Sequence, residues 1–506
     1  ANAALGVVAP NHCGIGGDAF WLVWDEARGE QVALNGSGRA PSGADPAPIR
    51  DRGWERIPLR GPLGITVPGA VRSWADAHRR WGRLPIDRLL APAIELAGSG
   101  FPAWPIFIDA VERTAPSLGG EPWAAGFHRI YRAHGRPWRP GEPVRLGALA
   151  GTLERLARNG LDAFYEGPLG ERQAAFLLAA GAPFAAADLA THASTWGSPI
   201  ETTYRGVRVT THPPNSAGFV ALETLNVLAA LGRPSSPFTA SGWLDDGWIH
   251  LGVEASKRAF ADRDAHLADP DRHPAPLERL LGREHAATVA ATIDPGRADL
   301  TPPPAVTLVG GTAYLAAVDA EGNAVSLIQS NSAGFGSGVV DPETGIHYHN
   351  RGASFLLDPA HPNVLAPGAR TAHSLLPSML FRAGERRPWI VAGSMGGDLQ
   401  PQINVQLVSA LVDGGADLAL AVGAPRWAVE PAGPIAPPVD VSVEPRMLPE
   451  VVAALEARGH AVRRVTPFDG AMGHAHAIEL VDGGPAAGGT LAAVTDPRSA
   501  GLPAVR

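Results

Sequence analysis

The chain has 506 residues, 45% of them hydrophobic and 18% charged, enough apolar content to bury a large core. Its formal net charge is -8, with acids and bases dispersed, which argues against a nucleic-acid surface or a polybasic membrane patch. Cys13 is the single cysteine, which excludes an internal disulfide framework and a cysteine-built zinc site, and no apolar run reaches the roughly 18 residues a membrane helix needs.

The opening "ANAALGVVAPNHCGIGGDAF" starts as though inside a helix and lacks the charged region of a secretory signal. Residues ahead of it and a cytoplasmic location are the expectations. Next, "AFWLVWDEARGEQVALNG" sets two apolar runs around a charged turn with Gly29, a hairpin pattern. From about Val71 to Gly232 apolar residues recur at three and four spacings, as in "LLAPAIELAGSG" and "GTLERLARNGLDAFYEG", and predict helices. "GWIHLGVEASKRAFADRDAHLADP" predicts a long helix with an apolar stripe of Leu251, Ala255, Ala259 and Phe260, stopped by Pro270. Between about Pro270 and Val309 the chain is proline-rich and weakly periodic, which predicts an exposed, poorly packed connector.

After the connector, "TAYLAAVD" and "NAVSLIQS" read as paired strands joined at "DAEGN". "RPWIVAGS" reads as a strand, "PQINVQLVSALVDGG" as a helix, and "AHAIELVDGG" with "GTLAAVTDPRS" as a closing strand pair. Strands at both ends of a helical middle predict an α+β sandwich instead of a doubly wound βαβ series.

Gly310-Gly311-Thr312 stands directly before the first of those later strands. A threonine hydroxyl is a poor nucleophile without a base, and cutting the peptide bond before it frees an α-amine that can serve as one. Such an amine has a pKa of about 7.7–8.0, so much of it is unprotonated at neutral pH. Glycine on the departing side tolerates the strained backbone that an attacking hydroxyl requires.

The sequence beyond Thr312, "AYLAAVDAEGNAVSLIQSNSAGFGSGVVDPETGIHYHNRGASF", resembles the start of the small subunit of γ-glutamyltransferases, a family of N-terminal nucleophile hydrolases. "GIGGDAFWLVWD", "GITVPGAVRSWADAHRRWGRLPIDRLLAPAIELAGSGFP", "YRGVRVTTHPPNSAGF", "EASKRAFADRDAHLADP", "GSMGG" and "DPRSAG" are similar to family blocks in family order. The resemblance implies a four-layer αββα sandwich built by a precursor that cuts itself. Residues 1–311 would form the large subunit, with a connector at about 270–311, and 312–506 the small one. A dimer of that heterodimer is a further expectation, and no cofactor is implied. Thr312 would be the nucleophile and its α-amine the base. Ser330 stands where the family places a threonine that supports the nucleophile. Gly396 and Gly397 match the glycine pair whose N–H groups form the oxyanion hole.

This sequence departs from the family pattern where the family grips a glutamyl head group. The arginine position reads Ser37, with Arg39 two residues on; the serine pair reads His373-Ser374; the aspartate position reads Ser354, and Arg351 stands three before it. An ammonium group would meet Arg351 and a neutral serine, which disfavours an α-amino acid head. Arg351, His373 and Ser374 suit a carboxylate instead. The expected substrate is a small acidic amide, as for relatives resembling oxamate amidohydrolase or glutaryl cephalosporin acylase.

Competing readings are a γ-glutamyl hydrolase or transferase in which Arg39 grips the carboxylate, a chain that never matures and serves as a binding protein, and a metal hydrolase. The last would use His347 with His349, or His474 with His476, each pair at strand spacing; alternation in an exposed strand is the ordinary explanation. Cys13 beside His12 reads as a buried structural thiol, and Trp21, Trp24 and Trp81 as packing residues.

Overall fold

The computed structural model describes residues 1–232, 237–238, 244–300, 311–429 and 440–505. Gly310 and the proline-rich run 301–309 lie outside them. The first half supplies β1 (Asp18–Asp25), β2 (Glu30–Gly36), α1 (Ala70–Trp81), a short β3 (Thr195–Gly197), β4 (Ile200–Tyr204), β5 (Val207–Thr211), α2 (Gly218–Leu231), α3 (Asp246–His266) and α4 (Arg283–Ala290). The second half supplies β6 (Gly311–Val318), β7 (Ala324–Ser332), β8 (Ser378–Phe381), β9 (Ile390–Met395), α5 (Leu399–Val412), β10 (His474–Val481) and β11 (Thr490–Thr495).

Two mixed-origin sheets result, β3-β2-β1-β7-β6 and β11-β10-β9-β8-β5-β4. Every pairing within them is antiparallel, which agrees with an α+β class and not with a doubly wound sheet. The period-two alternation of β1 assigns its faces. Leu22 and Trp24 pack with Met379, Phe381, Val391 and Leu480 of the second sheet, and Phe20 with Tyr314 and Leu375. Ala19 meets Ala70 of α1 on the opposite face, where Trp21 Nε1 donates to Ser73 Oγ at 2.9 Å. Beyond the second sheet, Leu380, Ile390 and Ala392 share a core with Leu222 of α2, Val253 of α3 and Val408 of α5. Each of these leucine, isoleucine and valine side chains contributes about 1.5–3 kcal/mol on burial.

A further core joins the helical region between 86 and 180 to Phe335, Val339 and Tyr348, and so braces the loop that carries Arg351. Three expectations change. The α3 helix is buried from Trp248 to Lys257, well beyond a stripe, because α2, the strand Trp427–Val429 and the helix Pro449–Ala457 all pack against it. The described part of the connector is mostly exposed as expected, but Leu280, Ala286, Ala290 and Ile293 anchor it, buried against the α2 core. The threonine-rich "IETTYRGVRVTT" forms the hairpin β4–β5 inside a region whose pattern reads as helical.

Candidate active site

Thr312 pairs with Ser330 across β6 and β7 while Gly311 pairs with Ser332, so the ladder skips Asn331. Such bulges re-aim side chains, often beside active sites. Here Thr312 Oγ1 donates to Ser330 Oγ at 3.0 Å, and Ser330 Oγ donates to the carbonyl oxygen of Gly311 at 2.7 Å. Ser330 Oγ also accepts the N–H of Ser332 at 2.8 Å. A hydroxyl has one proton and two lone pairs, and this one uses all three. Gly311 fits for a steric reason, since a Cβ there would lie 2.8 Å from the backbone carbon and oxygen of Ala333.

Asp18 of β1 lies opposite Ser330 on the other side of β7. Its Oδ1 accepts the N–H groups of Gly38 and Gly69, each at 3.1 Å, and its Oδ2 faces His373 Nε2 at 3.4 Å and His349 Nδ1 at 3.5 Å. Burial alone would raise this carboxyl, but His349, His373 and Arg351 outweigh it and hold the pKa down at about 2. Burial, with Arg351 nearby, lowers His373 to about 3, so its ring is neutral at pH 7.

Arg351 opens a short 3₁₀ turn, Arg351–Ser354. Asn350 ties it to the bulge: its N–H donates to Asn331 O at 3.2 Å, and its Oδ1 accepts from Ala333 N–H at 2.9 Å. Arg351 is 1% exposed, and among the described residues none of its three guanidinium nitrogens has a hydrogen-bond partner. Burial lowers its pKa to about 10 against the pull of Asp18 and Asp398, so it remains charged. A buried cation without hydrogen bonds is costly and calls for an explanation in the site around it. The hydroxyls of Ser374 and Ser394 are likewise buried without partners among the described residues. Ser354 is buried at the end of the turn, its carbonyl accepting from Asn363 at 2.7 Å.

Gly396 and Gly397 follow β9 with φ of 146° and 59°, the region that favours glycine. Their carbonyls accept from Leu399 and Gln400 at the start of α5, both at 3.1 Å, and among the described residues their N–H groups have no partner. The pair sits at the bulge end of the sheets. Met395 pairs with His474, whose ring lies 6.5 Å from that of His12, and the His12 carbonyl accepts from Asn331.

A buried hydroxyl pair at a glycine–threonine bond, a glycine pair with free N–H groups and an unpaired arginine are on one end of two sheets. The gamma-glutamyltranspeptidase family matches residues 1–505. The chain belongs to this family. It is 38% identical over 510 residues to "Oxamate amidohydrolase proenzyme" of Klebsiella pneumoniae, covering 100% of this chain and 92% of the relative. It is 37% identical over 508 residues to "Glutathione hydrolase-like YwrD proenzyme" of Bacillus subtilis, covering 99% and 91%. Among solved structures, cephalosporin acylase from Bacillus halodurans superposes with a TM-score of 0.88 at 35% identity, covering 98% of this chain and 88% of that one.

The remaining positions where this family member departs from the pattern are engaged elsewhere. Ser37 Oγ donates to Asn35 Oδ1 at 2.7 Å within a buried network that includes Asn215. Arg39 spends its guanidinium on Asp269 at 3.1 Å, Asp271 at 2.5 Å and Gly368 O at 3.0 Å. Neither joins Arg351. His347 and His349 are buried and have protein partners, Asn331 at 2.6 Å and Thr66 O at 2.9 Å, whereas His474 and His476 alternate with buried alanines on the half-exposed face of β10, where His476 accepts weakly from Asp496 N–H at 3.5 Å. Among the described residues neither pair belongs to a cluster of three potential metal ligands. Cys13 is fully buried, and burial pushes its thiol up to about 12. Asp18 is the buried charged residue beside the candidate site that spacing did not single out. Its signal was a lone carboxylate heading the otherwise apolar "DAFWLVW".

Proposed function

We propose that the chain severs itself between Gly311 and Thr312 and then uses Thr312 as an N-terminal nucleophile to hydrolyse a small carboxylate-bearing amide. The scaffold would be a four-layer αββα sandwich of a large piece, 1–311, and a small piece, 312–506. The carrying observation is that Ser330 links Thr312 Oγ1 to the Gly311 carbonyl oxygen. In the cutting step Oγ1 bonds to the Gly311 carbonyl carbon, the C–N bond breaks, and the hydroxyl proton ends on the departing nitrogen. Ser330 lies on the path of that proton and steadies the carbonyl oxygen. Water then hydrolyses the resulting ester, leaving a Gly311 carboxylate and a free Thr312 amine.

In the mature protein that amine takes the proton of its own hydroxyl as the hydroxyl attacks the substrate carbonyl. The N–H groups of Gly396 and Gly397 would hold the oxyanion, donors worth about 2.7–4 kcal/mol each in such sites. Water releases the acyl group, and an amine in its place gives transfer. Arg351 and Ser374 would receive the far carboxylate of the acyl chain. The names of the amidohydrolase and acylase relatives support this substrate class. The ion pairs of Arg39 weigh against a γ-glutamyl reading that depends on it.

The test is mass spectrometry of N-termini for the wild type and Thr312→Ala, with turnover of oxamate, a glutaryl amide and a γ-glutamyl anilide. Expected are a new terminus at Thr312, lost in the variant, and preference for the acidic amides. Full activity from an uncut chain, or turnover confined to the γ-glutamyl anilide, would overturn the reading.

A further inference from the structure

On the outer side of the second sheet, three helices each direct one side chain to a common point. Glu223 of α2, Asp262 of α3 and His285 of α4 bring one donor atom apiece within 4.8 Å of one another. His285 Nε2 stands 3.1 Å from a Glu223 carboxylate oxygen and 3.2 Å from one of Asp262. A tetrahedral zinc ion with nitrogen and oxygen ligands at ~2.0–2.2 Å spaces its donors by about 3.3–3.5 Å, so the cluster needs little adjustment to close on an ion.

Glu223 is 0% exposed, and among the described residues its second carboxylate oxygen has no hydrogen-bond partner. This oxygen is a second observation beside the cluster, a buried acceptor left open towards it. Burial first, and then the charge and hydrogen bond of Asp262, push the Glu223 carboxyl up to about 10. Two further groups face the cluster. His266 Nε2 lies 4.0 Å from Asp262 and accepts from Arg279 at 2.9 Å, and the Arg279 charge opposes the rise at Glu223. The side chains of Asp262 and His285 are 21% and 13% exposed, which leaves a path from solvent. The neighbouring group His250, Glu254 and His460 differs, because Lys257 and Arg258 already hold Glu254 and Asp440 holds His460.

We propose that Glu223, Asp262 and His285 bind one divalent transition-metal ion, with zinc the best fit, and keep a fourth position for water. Two carboxylates and an imidazole form a borderline-hard donor set that suits zinc and lacks the oxygen count calcium needs. The ion would pin α4 to α2 and α3, a structural task separate from the chemistry at Thr312.

Calorimetric titration of zinc chloride into the metal-free full chain, with metal analysis after desalting, tests this for the wild type, Glu223→Gln and His285→Gln. Expected are one equivalent bound by the wild type, at least tenfold weaker binding in both variants, and a zinc-dependent rise in Tm that both variants lose. His285 is partly exposed, so His285→Gln keeps the test open if Glu223→Gln misfolds. A wild type without a stoichiometric site, or a site that both substitutions leave unchanged, overturns the proposal whether or not Thr312 matures.

Discussion

The Ser330 hydroxyl donates to the Gly311 carbonyl oxygen at 2.7 Å while receiving the proton of Thr312 Oγ1 at 3.0 Å, so one side chain touches both partners of the proposed cut. Ser330→Ala removes both contacts. Self-cleavage should slow by about 10²–10³-fold, as for loss of one oxyanion donor, whereas Ser330→Thr keeps the hydroxyl and should stay within a few-fold. A time course of the 52.6 kDa band in denaturing gels measures it. Equal rates for alanine and serine would remove Ser330 from the mechanism.

Gly311→Ala should also impair maturation, by a different route. The added methyl would sit 2.8 Å from the Ala333 backbone, which cannot swing aside as a flexible side chain would. Overpacking of this kind costs about 1–3 kcal/mol and displaces the carbonyl from Ser330. Processing should fall at least tenfold, read by mass spectrometry of the termini; unimpaired processing would show that the strand end shifts freely.

Arg351→Gln separates binding from chemistry. A charge-assisted hydrogen bond of about 1.5–3 kcal/mol corresponds to a rise in KM of about 10–100-fold for carboxylate-bearing amides. The kcat should change little, and neutral amides should be unaffected. Steady-state kinetics on a matched acidic and neutral pair decides, and an equal loss for both would make Arg351 structural.

Acid should weaken the fold well above the usual carboxylate range. Burial lowers His12, His212, His347 and His474 to about 4, and His192 and His373 to about 3. The unfolded chain therefore binds protons on these rings, near pH 6.5, before the folded chain does, and stability falls as pH drops from about 6.5 toward 4. Asp18 adds to the loss only lower, between about 3.9 and 2. Urea midpoints measured from pH 8 to 4 should be flat above 7 and decline steeply below 6.5. A flat profile down to pH 5 would mean that these rings are protonated when folded.

Much of this was readable from the chain itself. The hairpin of β1 and β2 follows from alternation about Gly29, and the β6–β7 pair from the turn at "DAEGN", so Thr312 and Ser330 fall opposite each other almost by counting. The unpaired state of Arg351 was not readable, since only packing from Phe335, Val339 and Tyr348 reveals that the loop is buried. Asp18 escaped because its partners, His349 and His373, lie over 300 residues away in the chain. The β4–β5 hairpin escaped because its outward threonines and charges carry no apolar period, and α4 because prolines before and after it disguise a helix that rests on α2.

Both sheets interleave strands from before and after residue 311: β1 beside β7 in one, β5 beside β8 in the other. A nick there cannot sort the product into two bodies, because each piece alone would expose raw strand edges and half of two interiors. If the proposed cut occurs, chain continuity would act as a disposable jig, useful for assembling the object and dispensable once it stands. Pieces expressed from separate genes should aggregate where a self-severed chain stays whole, and unfolding after the cut should be a one-way event.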